Sequence, residues 1–466
     1  MPFEIPADLM VSVSGVRGRV GEGLTPEVVA RFASAYGAWA RERSGKERPK
    51  IVLARDSRTS GPMFVRIVAG SLQSVGCDVI EIGLAPTPTA LYNIRALAAD
   101  GGIVVTASHN PVEWNALKLA TAAGMFLDAD EAPLMGAFVN DRVIERARWN
   151  ATGDVVIDTN AVDRHLAAVL RIPYLQLDAL RQRRFRVALD CIRGAGSVLL
   201  PHLLEELGCE VIGLNLEPDG RFPREPEPVA ENLHELERLV RERRADIGMA
   251  TDPDADRLSL VSNAGRAIGE DFTLALAASL VLRHRAGPVV TNLSTSRLLQ
   301  DVTEQAGVEL QRAPVGEIHV ARRMEQVGAV IGGEGNGGVI LPDVQMTRDA
   351  AVAAALVLEL LLEDGRPVSD IVAAHQGYTI VKAKLPRDAG ELEAAFAVLE
   401  ERLAAPAADR QDGLRLDWPH ERRWLHLRAS GTEPILRIIA EAPSAAGARD
   451  LVEQARGALA GRVPTP

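Results

Sequence analysis

Only three cysteines, Cys77, Cys191 and Cys209, occur in 466 residues. They are far apart and odd in number, so a disulfide framework is excluded, and no C-x-x-C pair exists to hold a structural metal. A reduced, cytoplasmic setting is expected. Long apolar runs are also missing. The longest, around 272–282, are too short to span a bilayer, and the first ten residues, with Pro2, Glu4, Pro6 and Asp8, do not read as a signal peptide. Excess positive charge is absent too. The formal net charge is −11, which argues against non-specific binding to nucleic acid or an anionic membrane, while leaving room for a small anion in a local basic pocket. Lysine is scarce, with five residues among 52 Lys plus Arg, so a lysine inside a candidate site needs a reason. What is present, 47% hydrophobic and 25% charged residues, is ordinary for a globular protein and excludes a disordered or fibrous chain.

One pattern recurs three times: a short β-branched run, a loop with an amphipathic helix, a glycine turn and a second run. It covers Ile51 to Ile80, turning at Gly76, Val187 to Ile212, turning at Gly208, and Val289 to Leu310, turning at Gly307. Each copy predicts a β-α-β unit, and the lack of alternation suits sheets covered on both faces. The last ninety or so residues read instead as strand–helix–strand–strand–helix, a smaller α+β unit. The expected class is α/β, with three related mixed-sheet domains at 1–150, 151–256 and 257–372. A fourth, C-terminal domain is expected at 373–466, and the length fits this number of domains.

Each expected domain carries one chemically suggestive loop just after a strand, where open α/β sheets place ligands. The first is Thr106-Ala107-Ser108-His109-Asn110-Pro111, with a hydroxyl beside an imidazole; the G-x-S-x-G elbow of a hydrolase is absent. The second is Asp252-Pro253-Asp254-Ala255-Asp256-Arg257. Carboxylates at i, i+2 and i+4 on a bent loop can converge on one hard cation, as Mg²⁺ requires. An EF-hand is excluded, because its sixth and twelfth positions would be Arg257 and Asn263. The third is Gly332 to Gly338, where glycines permit close backbone approach and Glu334 and Asn336 suit sugar hydroxyls. The fourth, Arg428 to Pro434 with Arg437 beyond, makes an anion cradle from Arg428, Ser430, Gly431, Thr432 and Arg437. A further patch, Arg55 to Gly61, fits either a phosphate or an internal ion pair. Together the four loops describe one composite site in a central cleft. It would hold a hydroxyl nucleophile, a divalent cation, a polyol reader and a phosphate cradle, which are the needs of moving phosphate on a sugar phosphate.

At this point the sequence resembles the α-D-phosphohexomutase superfamily across essentially its whole length. The phosphoserine loop T-A-S-H-N-P is matched at every position by Thr106 to Pro111. The metal loop D-G-D-G-D-R appears with Pro253 and Ala255 in place of its glycines, and the sugar loop G-E-x-S-G has Asn336 in place of Ser. The phosphate loop R-x-S-G-T-E-P is matched by Arg428 to Pro434, and S/T-G-x-R-G by Ser14 to Gly18. The resemblance implies that Ser108 carries the phosphate and that Asp252, Asp254, Asp256 and the Ser108 phosphate hold Mg²⁺. It also implies that Arg17 and Arg257 flank the transferring group, and that a sugar 1,6-bisphosphate serves as intermediate and, as glucose or glucosamine 1,6-bisphosphate, as activator. Lys118, in a segment resembling the family's N-G-x-K, is the candidate base, with His109 as the other. The strings S-G-V-R-G, D-P-D-A-D-R and G-G-E-G-N-G-G-V-I resemble most the subgroup acting on glucosamine phosphates. The commoner bacterial pattern has His where this chain has Gly338, and glucose or mannose phosphate stays open. A small-molecule sugar phosphate is the expected partner of a monomer or homodimer, and the last domain is expected to act as a lid. A haloacid-dehalogenase-type phosphatase is disfavoured because Arg257 follows the acidic triplet deep in the chain. A non-catalytic sensor is disfavoured because Ser108 and the acids are both kept.

Overall fold

A computed structural model describes residues 4–13, 15–140, 142–375, 377–386, 392–429 and 435–459. The first sheet has seven strands: β1 (Met10–Ser12), β2 (Gly15–Arg19), β3 (Lys50–Arg55), β4 (Asp78–Leu84), β5 (Gly101–Val105), β6 (Trp114–Thr121) and β7 (Val155–Ile157). The second has β8 (Arg186–Asp190), β9 (Glu210–Leu214), β10 (Ile247–Thr251) and β11 (Leu258–Ser262). The third has β12 (Val289–Asn292), β13 (Leu310–Ala313), β14 (Ile331–Glu334) and β15 (Gly338–Ile340). The fourth has β16 (Thr379–Pro386), β17 (Ala407–Asp409), β18 (Leu414–Trp418), β19 (Arg423–Ala429) and β20 (Ile435–Ala442).

The threefold repeat is real and extends beyond the β-α-β unit. Each of the first three sheets contains the same four-strand core: two parallel strands flank a central one, and a fourth returns antiparallel beside the third. These cores are β4-β3-β5-β6, β9-β8-β10-β11 and β13-β12-β14-β15. Gly76, Gly208 and Gly307 take left-handed φ values of 84°, 79° and 66° where the chain turns toward the second strand, a conformation glycine adopts without steric cost. The inner strands carry their polar residues at or next to their ends, and every residue of β10 and β14 is buried, as expected for sheets covered on both faces.

Two expectations change. A boundary at 256/257 would divide β10 from β11, but five residue pairs join those strands in one sheet, so the acidic loop is a hairpin connection inside the second sheet. In the C-terminal part, β17 and β18 were not expected. The alternation Leu414-Arg415-Leu416-Asp417-Trp418 is a strand in which Leu414, Leu416 and Trp418 face the local core. Its charged residues pair with the third sheet's loops, as with Arg297 and Asp417 at 3.0 Å, so their polarity disguised it.

The second and third sheets share one apolar core, which the helix Ala350–Asp364 enters so deeply that its first twelve residues are all buried. The fourth sheet is antiparallel, in the order β16-β20-β19-β18-β17. It packs the helices Leu392–Leu403 and Ala445–Leu459 into a cluster of its own. Among the described residues, no helix is long and apolar enough to cross a membrane.

Candidate active site

The topology explains why the three motifs meet. Each of the loops containing Ser108, the Asp triplet and Asn336 joins the third strand of its repeat to the fourth, so equivalent corners of three related sheets face one cleft. Backbone bonds tie the acidic corner to its neighbours: Leu258 N donates to Gly337 O of the third corner at 3.0 Å, Thr87 N, after β4, to Asp254 O at 2.9 Å, and Ala350 N to Ala255 O at 3.3 Å.

Ser108 is buried with a left-handed φ of 47°. A non-glycine residue held there stores roughly 1–2 kcal/mol, and the surroundings impose it. Arg58 is fully buried and pairs with Asp56 at 3.1 Å. Its Nη2 donates to the carbonyls of Ser108 and Asn110, both at 2.6 Å, and its Nη1 to those of Pro111 at 2.6 Å and Trp114 at 2.9 Å. Asp56 also accepts from Thr106 Oγ1 at 2.6 Å, and that oxygen accepts from Ser108 N at 3.0 Å. The Arg55–Gly61 patch therefore resolves as an internal ion pair at Arg58 that shapes the serine loop. The Ser108 hydroxyl donates to Asp252 Oδ2 at 2.8 Å and lies 3.4 Å from His109 Nδ1.

Asp252, Asp254 and Asp256 are all fully buried, and one oxygen from each lies within 4.8 Å of the others. Burial, then the charges of Asp256 and Asp254, push the Asp252 carboxyl well above the usual carboxylate range. Burial acts on Asp254 in the same direction but is outweighed, chiefly by Lys118, so Asp254 sits well below that range. Lys118 Nζ donates to Asp254 Oδ2 at 2.7 Å and lies 3.7 Å from Asp256. Burial pulls its pKa down, but Asp254 and Asp256 hold it above the ordinary value. Asp254 Oδ1 and Asp256 Oδ1 are buried without a hydrogen-bond partner. Unpartnered, converging carboxylate oxygens are what a hard divalent cation needs, so the donor set fits one. Ala255, where the related motif has glycine, takes a left-handed φ of 54°.

Arg17, on β2, donates to Asn110 Oδ1 at 3.1 Å. Arg257 pairs with Glu227 at 3.3 Å and reaches Asp256 at 3.8 Å. The charge of Arg257 first, then burial and Arg17, hold the His109 imidazole well below its usual pKa, so it is neutral at physiological pH.

Glu334 is buried with both oxygens engaged. Oε1 accepts from Asn292 Nδ2 at 2.8 Å and Gly316 N at 3.1 Å, and Oε2 from Arg348 Nη1 at 2.6 Å. Burial would raise its pKa, but Arg348 and these donors hold it below the ordinary value, so it is a carboxylate. Asn336 Oδ1 accepts from Gly338 N at 3.3 Å and shapes the turn. In the fourth sheet Arg428 and Arg437 stand opposite each other on β19 and β20, and Arg428 reaches Asp412 at 3.1 Å. Ser430, Gly431 and Thr432, the rest of the expected cradle, lie outside the described residues, as does Ser14.

The motifs gave no warning of Arg348, which joins Asp256 to Glu334, of Thr87, which donates to Asp254 at 2.6 Å, or of Glu227 and Glu317. Their partners are distant in sequence. The available signal was slight: an arginine before Asp349, the N-cap of a strongly apolar helix.

Comparison with known proteins follows this geometry. The family models for phosphoglucomutase/phosphomannomutase match in order. The alpha/beta/alpha domains I, II and III match residues 9–141, 163–265 and 269–378, and the C-terminal domain matches 380–458. The chain is 39% identical to the phosphoglucomutase/phosphomannomutase of Thermococcus kodakarensis, covering 94% of this chain and 96% of that one. It is 37% identical to a probable phosphoglucosamine mutase of Methanopyrus kandleri, covering 95% of each. A crystal structure of a phosphoglucomutase/phosphomannomutase family protein from Burkholderia thailandensis superposes with a TM-score of 0.86 at 26% identity, over 98% of this chain and 99% of that one.

Proposed function

The chain belongs to the phosphoglucomutase/phosphomannomutase family and is a phosphohexomutase, an intramolecular phosphotransferase; from that premise we propose that it interconverts glucosamine 6-phosphate and glucosamine 1-phosphate through a phosphoserine at Ser108. The supporting observation is the meeting of the three repeat corners, which sets the Ser108 hydroxyl 2.8 Å from Asp252 in a triad of carboxylates with unpartnered oxygens. The glucosamine assignment is supported by relatives carrying that name. The alternative, glucose or mannose phosphate, is supported by the Thermococcus relative.

In this reading Asp252, Asp254 and Asp256, with the phosphate on Ser108, hold Mg²⁺. The ion would supply positive charge for the phosphoryl oxygens during transfer, the main catalytic need in such reactions. The sugar hydroxyl attacks the Ser108 phosphorus as the Ser108 Oγ–P bond breaks, giving a sugar 1,6-bisphosphate. After this intermediate turns over, its other phosphate returns to Ser108 Oγ, and glucose or glucosamine 1,6-bisphosphate primes the free serine. The attacking hydroxyl must lose a proton. Lys118 is the assigned base, and its ammonium must first give up the proton that Asp254 and Asp256 stabilise. His109, already neutral and 3.4 Å from Ser108 Oγ, is the alternative acceptor. Arg17 and Arg257 lie against the transferring group, Glu334 and Asn336 accept and donate to the sugar hydroxyls, and Arg428, Ser430, Gly431, Thr432 and Arg437 hold the phosphate that is not reacting. The fourth domain closes over the site as a lid.

The test compares kcat/KM for glucosamine 6-phosphate, glucose 1-phosphate and mannose 1-phosphate, with Mg²⁺ and a trace of 1,6-bisphosphate. A clear lead for glucosamine 6-phosphate is expected. A lead for glucose or mannose phosphate would overturn the sugar assignment and keep the mutase chemistry.

A further inference from the structure

We propose that Arg348 is a positioning residue that holds the cation loop and the sugar loop in one fixed relation, and that position 338 is glycine because Arg348 takes its space. What those loops bind follows from the mutase reading above; the coupling itself does not depend on it. The Arg348 guanidinium is buried and meets carboxylates from three segments: Asp256 at 2.7 Å, Glu334 at 2.6 Å and Glu317 at 3.3 Å. Three buried carboxylates this close to one another would repel; the two Nη groups of the planar fork donate to Asp256 and Glu334 at once while the cation faces Glu317, whose Oε1 accepts from Arg348 N at 3.0 Å, and a lysine ammonium cannot span the two loops with the same reach. The fork thereby orients Glu334 Oε2, while Asn292 and Gly316 fix Oε1.

The backbone of Arg348 is anchored from behind. Asp349 caps the helix Ala350–Asp364 by accepting from Ala351 N at 2.9 Å and Val352 N at 3.3 Å. Its Oδ2 also meets His165 Nε2 and Gln345 Nε2, each at 2.7 Å, and His165 Nδ1 meets Thr89 Oγ1 at 2.9 Å. Arg348 therefore starts where segments near the first and second sheets brace the third. Its stem then crosses the sugar loop. A Cβ on Gly338 would stand 2.8 Å from Arg348 Cγ and closer still to Cδ. Gly338 does not need left-handed freedom, since its φ is not among the positive values, so space and not backbone conformation is what requires glycine there.

The experiment is a double-mutant cycle on the full-length protein with Arg348→Ala, Gly338→Ala and the double variant, and with Arg348→Lys as the conservative exchange. The readouts are Mg²⁺ affinity by calorimetry, kcat and KM for the hexose phosphate, and Tm. Arg348→Ala should weaken Mg²⁺ binding and raise KM by about tenfold or more, the scale seen when a group orienting a metal ligand is removed. Arg348→Lys should restore little of either. Gly338→Ala should impose a similar loss on the wild-type background, yet change the Arg348→Ala protein by no more than about twofold, because the clash has gone. Unchanged Mg²⁺ affinity and KM in Arg348→Ala, or the same penalty for Gly338→Ala in both backgrounds, would overturn the proposal. If Arg348→Ala does not fold, the single variants still decide: Arg348→Lys, which keeps the Cγ and Cδ stem, must lose Mg²⁺ affinity and raise KM, Gly338→Ala must do so on the wild-type background, and wild-type values in either overturn the proposal. Wild-type protein without turnover on any hexose phosphate, but with coupling intact in Mg²⁺ binding and Tm, would defeat the mutase reading and leave this one standing.

Discussion

The junction of the first three sheets and the junction of the third with the fourth are both rich in buried charge, but they are built differently. At the first, apolar packing and ion pairs act together. The second and third sheets share one core, Lys118 and Arg348 cross-brace loops from different sheets above it, and Arg58 braces the serine loop within the first. At the second, the fourth sheet keeps its apolar cluster to itself and meets the third through polar pairs. These are Arg297 with Asp417 at 3.0 Å, Arg422 with Asp301 at 2.6 Å, Tyr378 with Asp301 at 2.7 Å and Ser294 with His426 at 2.9 Å. Apolar cores resist sliding because they are close-packed, whereas polar pairs can exchange partners with water. The first junction is thus suited to hold reacting groups still, and the second to let a domain move.

The largest effect should follow from disturbing the rigid side. Lys118→Arg keeps the charge beside Asp254 but supplies a group that does not deprotonate. kcat should fall by about 10²–10⁴, the range for losing a general base, with the fold intact by circular dichroism. Near-normal turnover would remove Lys118 from that role and transfer it to His109.

At the polar junction the expected effect is on stability. Arg297 is nearly buried and pairs with Asp417, which Arg415 also meets at 2.8 Å, so Arg297→Ala should cost about 1.5–3 kcal/mol of docking by removing one of the two cations that hold Asp417. Calorimetry should show the fourth domain melting earlier, while the rest melts as before. A single unshifted transition would mean that the two junctions are equally rigid.

An effect confined to acid pH concerns His426. His426 is buried, and burial lowers its pKa to about 4. The neutral ring accepts from Ser294 Oγ at 2.9 Å and donates to Asp412 O at 2.6 Å. An unfolded histidine titrates near 6.5, so protonation favours unfolding across this window. The contribution is fully present above about pH 6.5 and is lost as pH falls toward 4, in all about 3 kcal/mol. Denaturation curves between pH 7 and 4 should show the decline in wild type and a flatter profile in His426→Gln. Equal slopes would remove His426 as its source.

The sequence made the chemistry-bearing loops legible because each is local: Thr106 to Pro111, Asp252 to Arg257 and Gly332 to Gly338 are unbroken runs. The threefold repeat was legible because glycine turns and β-branched runs mark the same points in each copy. Arg348 was not, because its meaning lies in Asp256 and Glu334, which fall 92 and 14 residues away. The Arg55–Gly61 patch could be read either as phosphate contact or as ion pair, and only the path of Arg58 into the serine loop decides between them. The boundary at 256/257 cut between β10 and β11 because the acidic loop hides a hairpin. β18 was missed although Leu414, Leu416 and Trp418 alternate with Arg415 and Asp417 as in a half-buried strand, because the two charges made the run read as polar and nothing local shows that they are spent on an interface.

The central claim is that Ser108 is the phosphate carrier, and it can be tested by direct chemistry. The full-length protein would be incubated with Mg²⁺ and glucose 1,6-bisphosphate, digested, and its peptides mapped by mass spectrometry. The account predicts one acid-stable phosphate on Ser108, absent from Ser108→Ala; if it is loaded from labelled bisphosphate, the label passes into the hexose phosphate pool when unlabelled monophosphate is added, while Ser108 is phosphorylated again. An acid-labile phosphate on Asp252, Asp254 or Asp256, or no bound phosphate while wild-type turnover proceeds, would contradict it.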